Sequence, residues 1–401
     1  MRRAPWATGL LVFFATATSS LAQALYSIGV LDPANPFSEV RALSQTGAYA
    51  VGTSRSAIGT NVPVVWSLVD GLVALPNPSN RDSLAHGVSV GIGANAGYII
   101  ISGLHEGNLT HRFYKAPLNN LAGGTWTDTA TAGGLGSAGN LRGGLANDLR
   151  SHPGHDGRWY TAGRRNDSGR NARFRGDPNS GWDGTAVTAV NSVSAYGVNV
   201  GRSGATPSAA FYEGPAQAFS TVPGSTGVRA DGHGISPSFG ISATNNFDVQ
   251  WICGQVQNYP GGNFQAFRWK RGEPSMEFLG ALPGHTSSTA YSIADTGVTV
   301  GRSFISGGET AVVWDTSGIW DTTGTPKVIQ DLLNAAGVDT SAWTRLVRAY
   351  AVSDDGSVVA GFGLWAADGS TRGFVAVIPE PATLPLLSAG LATVVLLRRR
   401  G

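Results

Sequence analysis

The sequence predicts an all-β fold, a seven-bladed β-propeller of repeats about 50 residues long. Three observations predict it. An apolar run ending in glycine recurs at Gly52, Gly103, Gly163, Gly201, Gly254, Gly301 and Gly361, with spacings of 51, 60, 38, 53, 47 and 60 residues. Tight-turn triplets precede several of these runs: Gln45-Thr46-Gly47, Asp295-Thr296-Gly297 and Asp354-Asp355-Gly356. Gly supplies the positive φ that a short hairpin demands. Glycine numbers 56 of 401 residues, only 13% of residues are charged, and no long amphipathic helical pattern interrupts the middle of the chain. Short Val, Ile and Trp runs punctuated by glycine read as strands and turns.

In chain order, Met1-Arg2-Arg3 is a basic start, Trp6–Thr18 is mainly apolar, and Ala22-Gln23-Ala24 is an A-x-A cleavage site. Residues 1–24 are therefore expected to be a secretory signal peptide, with the mature chain beginning at Leu25. Leu25–Leu31 reads as a strand similar to Phe278–Leu282, the fourth strand of a later repeat. The last repeat stops after its third strand, Gly373–Val377. The N-terminal strand is expected to complete that last blade, pairing two otherwise exposed sheet edges.

Within a repeat, the first strand carries A-x-x-[VI]-[SA], as in Ala290–Ala294 and Ala349–Ser353. The turn and the glycine-ended strand follow. A third strand carries an aromatic, as in Val64-Val65-Trp66, Ala210-Phe211-Tyr212, Ala266–Trp269 and Val312-Val313-Trp314. Some repeats add a fourth, such as Glu277–Gly284. One strand of each hairpin is almost wholly apolar, as expected where both faces of a sheet are covered. The second repeat is irregular around His86–Val90 and Gly123–Gly144, and the third is barely legible around Leu145-Ala146-Asn147. Residues 328–336 read as a short helix between Pro326 and Gly337.

The chain closes with Pro379-Glu380-Pro381, an apolar run Ala382–Leu397 and Arg398-Arg399-Arg400. That run would form a membrane helix of roughly 24 Å, short for a hydrocarbon core of about 30 Å. The arginines would stay on the cytoplasmic side. The formal charge is +2, but without Arg2, Arg3 and Arg398–Arg400 there are 23 basic residues against 26 acidic ones, about −3. No nucleic-acid footprint is expected of such a core.

Candidate chemistry is sparse. Arg158, Arg164, Arg165, Arg170, Arg173 and Arg175, with Trp159, Tyr160 and Phe174 between them, form the sequence's candidate binding stretch. Arginine pairs with carboxylates and aromatics stack on sugar rings, so this stretch could hold an acidic polysaccharide; a solvated loop face is the competing reading. His152, His155 and Asp156 are the densest histidine cluster, but Pro153 and Gly154 between them impose no metal geometry. Asp295, Asp354 and Asp355 read as turn formers rather than calcium ligands. Gly201-Arg202-Ser203 and Gly301-Arg302-Ser303 repeat one another, as duplication would produce. The lone cysteine, Cys253, lies in the apolar run Trp251-Ile252-Cys253 and is expected to be a buried, inert thiol. No catalytic, phosphate-binding, metal or cofactor motif is present, and neither a metal nor a cofactor is expected.

Two resemblances follow from these residues. The tail resembles the PEP-CTERM sorting signal over residues 379–401, with its P-E-P motif, short apolar helix and arginine cluster in order. That resemblance implies an exosortase-type partner acting near Pro379, Glu380 and Pro381, transient anchoring in the inner membrane, and release to the surface of an exopolysaccharide-producing bacterium. The repeats Ala266–Gly284, Asp331–Thr344 and Ala349–Gly361 resemble the extracellular HAF-repeat family. That resemblance implies a fold and a location but no reaction. The expectation is an exported surface or matrix module, 25–378, that binds or scaffolds polysaccharide. The alternatives are a secreted propeller lyase or glycoside hydrolase, and a purely structural matrix protein.

Overall fold

The computed structural model describes residues 24–378 apart from 78–79, 92–94, 106–109, 129–144, 148–158, 165–168, 175–181, 188, 195–197, 204–207, 214–217, 238–247, 249 and 258–261. Seven four-stranded antiparallel sheets follow one another along the chain. In six of them the first strand lies at one edge and its neighbours are added in sequence order; the seventh adds two in order and takes its fourth from the N-terminus. These edge strands are Ser38–Leu43, Leu84–Val90, Leu145–Asn147, Ala189–Val193, Arg229–Ile235, Ser287–Ile293 and Trp343–Val352. Each packs against the next, and the seventh packs against the first. The edge strands therefore surround one axis and the sheets radiate from it, as in a propeller.

The core lies between the sheets rather than at the axis. Val40, Ala50, Val64 and Trp66 of the first sheet pack against Val358, Ala360, Val375 and Val377 of the seventh. Cys253, Ala266 and Leu279 of the fifth meet Ala290, Val312 and Trp314 of the sixth. The Cys253 thiol is buried, as its apolar run predicts. Where a sheet is covered on both faces, its middle strand is apolar without alternation: Ile99, Ile100 and Ile101 of the second sheet are all fully buried.

The last sheet is completed from the other end of the chain. Ala24–Ser27 lies antiparallel to Thr371–Val377, with Leu25 opposite Ala376 and Tyr26 opposite Val375. The strand is shorter than the Leu25–Leu31 read from the sequence, because Gly29 turns the backbone at φ 83°. The fourth strand of the fifth sheet is likewise only Glu277–Phe278, not the whole of Glu277–Gly284, with Gly280 at φ 71°. The helix covers Ile329–Ala335, and Val328 before it belongs to the outermost strand of the sixth sheet. Among the described residues no helix is long and apolar enough to cross a membrane. The expected signal segment up to Gln23 and the sorting tail 379–401 lie outside the described residues.

Candidate functional site

The recurrent glycines mark a bulge. In six sheets the edge strand skips one residue against its partner, immediately after the residue that faces the recurrent glycine. Val40 faces Gly52 and Ala42 faces Val51, so Arg41 is extra. The equivalent extra residues are His86, Asn191, His233, Tyr291 and Tyr350. A bulge of this kind bends the strand and re-aims one side chain. It also brings the edge strand onto its partner. A Cβ on Gly301 would stand 1.9 Å from the Thr289 carbonyl oxygen, and one on Gly361 1.8 Å from that of Arg348. Close backbone approach, not an unusual φ, demands glycine there.

The bulged side chains of successive sheets touch one another, which places them around the axis. The Asn191 side-chain amide donates to the Gly232 carbonyl, beside His233, at 2.6 Å. The His233 and Tyr291 rings are centred 6.0 Å apart, and those of Tyr291 and Tyr350 5.1 Å. The Arg41 guanidinium lies 4.6 Å over the Tyr350 ring. One arc thus runs through the fourth, fifth, sixth, seventh and first sheets. His86 holds the same position in the second sheet and is buried.

A second tier supports the arc. In the fourth and fifth sheets the residue after the recurrent glycine reaches the edge strand of the next sheet, and in the sixth Arg302 bonds Glu309 of its own sheet, which the edge-strand Arg348 of the seventh also reaches. Arg202 pairs with Asp231 at 3.2 Å, and the Thr289 hydroxyl lies 2.9 Å from the Gln255 side-chain oxygen. Arg302 and Arg348 share the Glu309 carboxylate, and Arg348 also donates to the Tyr350 hydroxyl at 2.9 Å. Glu39 pairs with Arg41 at 2.5 Å. Burial would push the Glu309 carboxyl up, but its bonds to Arg348 and the charge of Arg302 hold it below the usual carboxylate range. Burial likewise works against the Arg348 charge, and the bond to Glu309 together with Tyr350 and Tyr291 outweighs it. Two guanidiniums on one carboxylate leave a positive charge in excess.

The hairpin turns of neighbouring sheets join in a chain of hydrogen bonds. Asp295 N–H donates to the Asp354 carbonyl at 3.1 Å, and Asp354 N–H to that of Gln45 at 2.8 Å. The Gln45 amide donates to the Ser89 hydroxyl at 2.7 Å. Asp355 does what the sequence predicts, accepting from Ser353, Ser357 and the Ser357 N–H to close the turn. Asp354 does more: burial, then the charges of Asp295 and Asp355, push its carboxyl up to about 7.

The arginine-rich stretch predicted from sequence falls elsewhere. Arg158, Arg165 and Arg175 lie outside the described residues, as do His152, His155, Asp156, Ala22, Pro379, Glu380, Pro381, Arg398, Arg399 and Arg400. Trp159 and Arg164 are on the second strand of the third sheet, Arg170 and Arg173 on its third. Arg173 faces Tyr160 and Arg170 faces Gly163. These strands stand outward of the axis. Ala24 opens the closing strand. Sequence reasoning missed the arc, although its signal was present: the bulged residue is the first of the two positions that A-x-x-[VI]-[SA] leaves undefined.

A cavity of about 450 Å³ opens between Tyr26 of the seventh sheet, Tyr49, Trp66 and Val69 of the first, and Leu118. Among the described residues no group of three or more His, Cys, Asp or Glu is placed to hold a metal.

No family model matches the chain, and no curated protein matches it. Solved structures do. It is similar to the β-propeller domain of the Trilobed protease from Pyrococcus furiosus, at 12% identity over 87% of this chain and 98% of that one, with a TM-score of 0.48. It is similar to the Dos1 propeller, at 10% identity over 88% and 95%, TM-score 0.46. It is also similar to an oligogalacturonate lyase from Vibrio parahaemolyticus, at 9% identity over 90% and 98%, TM-score 0.41.

Proposed function

We propose that this chain is an exported, seven-bladed propeller that serves at the cell surface or in the extracellular matrix as a binding or scaffold module for polysaccharide, with its ligand received at the axial arc. The observation that carries the reading is the arc itself. Repeats hold constant what folds them, yet at one equivalent position they present Arg41, His86, Asn191, His233, Tyr291 and Tyr350. Variation at a fixed, converging position suits recognition. Arg41 and Asn191 are part-exposed and offer hydrogen bonds, with the buried Tyr291 and Tyr350 rings packed behind the arc's guanidiniums. The address rests on the two ends: a signal segment over 1–24, and a tail whose Pro379-Glu380-Pro381 would be read by an exosortase-type enzyme while Arg398–Arg400 hold the intermediate in the inner membrane.

The enzyme alternative is a secreted propeller lyase or glycoside hydrolase. A glycoside hydrolase needs a carboxylic acid that keeps its proton; Glu309 is held ionised by two arginines, while burial, Asp295 and Asp355 raise Asp354 to about 7. The histidines and tyrosines of the arc are the groups an eliminative cleavage would use.

One experiment tests both halves. Cultures making the chain with and without residues 379–401 are fractionated, and the exported protein is presented to a panel of polysaccharides. The expected result is surface or matrix location that depends on the tail, and binding that Arg41→Ala, at a part-exposed side chain, weakens about tenfold with the fold intact by circular dichroism. Binding to no polysaccharide sinks the ligand reading. Release of products with a new conjugated double bond makes the protein a lyase.

A further inference from the structure

We infer that the group recognised at the arc is a carboxylate, so that the ligand is an acidic saccharide of the uronate kind; this rests on the binding reading above. The argument is one of which partner of each ion pair faces the solvent. The Arg41 side chain is 28% exposed and its partner Glu39 9%. Arg302 and Arg348 are 27% and 29% exposed, and the Glu309 they share 15%. Farther round, Arg202 is 23% exposed against 17% for Asp231. Each pair shows its cation to the water and keeps its anion behind it. The surface that a ligand meets is therefore more positive than the count of residues implies.

The donors are also in the right form. A guanidinium carries five N–H groups in a fixed plane and matches a carboxylate with two parallel bonds. Arg302 gives one N–H to Glu309. Arg348 gives Glu309 its Nε and Nη2 and the Tyr350 hydroxyl its Nη1, which fixes that ring beside the charge. Arg41 covers the other part of the same ring. A uronate at the arc can bring its carboxylate to the part-exposed Arg302 and Arg41, while the buried Tyr291 and Tyr350 rings, 5% and 7% exposed, back the two guanidiniums. A neutral sugar offers these cations no charge.

The exported full chain is titrated with an oligouronate and with the same oligomer after its carboxyl groups are reduced to alcohols, at low and at high salt. The oligouronate is expected to bind about tenfold more tightly, with the advantage shrinking as salt is added. Arg302→Gln should remove most of that advantage. Glu309→Gln should enlarge it, because both arginines then lose their internal anion; this opposite sign separates recognition from simple loss of fold. Equal binding of the two oligomers, with the ratio unmoved in Glu309→Gln, overturns the carboxylate inference and leaves the polysaccharide reading standing. Binding of neither overturns both.

Discussion

Asp354 shows what a single residue does that its motif does not announce. Asp354-Asp355-Gly356 reads as a hairpin turn, and Asp355 with Gly356, at φ 85°, fulfils it. The carboxyl of Asp354 is instead placed where burial, Asp295 and Asp355 all oppose its charge, and its pKa rises to about 7. Asp295 is 59 positions away in another repeat, so no local reading of the turn could find this. The consequence for stability has a definite sign. A carboxyl raised in the folded state stabilises the fold fully below its unfolded value near 4, and that contribution is lost as pH rises through about 7. Asp354→Asn, which cannot ionise, should track the wild type at or below about pH 4, gain on it steadily from pH 4 to 7, and lead it above pH 7 by on the order of 4 kcal/mol, read as a widening difference in unfolding midpoint. Parallel midpoint curves across that range would show that Asp354 does not titrate between folded and unfolded states.

At the scale of the strand pair, the glycines were legible and the bulges were not. An apolar run ending in Gly is visible by eye, whereas one inserted residue in the facing strand leaves no mark on an alternating pattern. The repeated Gly-Arg-Ser had the same fate: its recurrence is plain in the sequence, but its meaning lies in Arg202 reaching Asp231 of the next sheet, and in Arg302 sharing Glu309 with Arg348, which only the ring brings there. The glycine's role can be measured. Gly301→Ala puts a methyl group 1.9 Å from the Thr289 carbonyl oxygen, backbone that cannot swing aside. The expected cost is about 3 kcal/mol or more in denaturant unfolding. Gly337→Ala is the comparison: its φ of +81° strains any side chain, but no atom lies within 4 Å, so about 1 kcal/mol is expected. Equal costs at the two sites would mean that the edge strand yields at the bulge, and that the bulge does not impose the glycine.

Over the whole molecule, the two ends of the described chain meet in one sheet. Ala24–Ser27 covers Thr371–Val377, Ile28 is buried behind it, and the Ile28 N–H donates to the Gly373 carbonyl at 3.0 Å. Closure was legible because the last repeat lacks a fourth strand and the first residues after the leader look like one. The length of that strand was not, since Gly29 sits inside an apolar run that reads as continuous. The expected cleavage after Ala24 would remove one residue of the register, the pair Ala24 with Val377, and spare the three that follow. Deleting residues 25–31 should be far more costly than starting the chain at Leu25. It exposes the backbone edge of Thr371–Val377, and it uncovers Val375 and Val377, which pack with Ile28 and Tyr26. Loss of those apolar contacts alone comes to about 3–6 kcal/mol. Thermal unfolding of the two shortened chains decides the matter: a chain from Leu25 should melt within a few degrees of one from Ala24. The chain from Asp32 should melt well below both and associate through its open edge, visible as a larger species in size-exclusion chromatography. If all three melt together as monomers, the N-terminal strand is an ornament on a ring that holds without it.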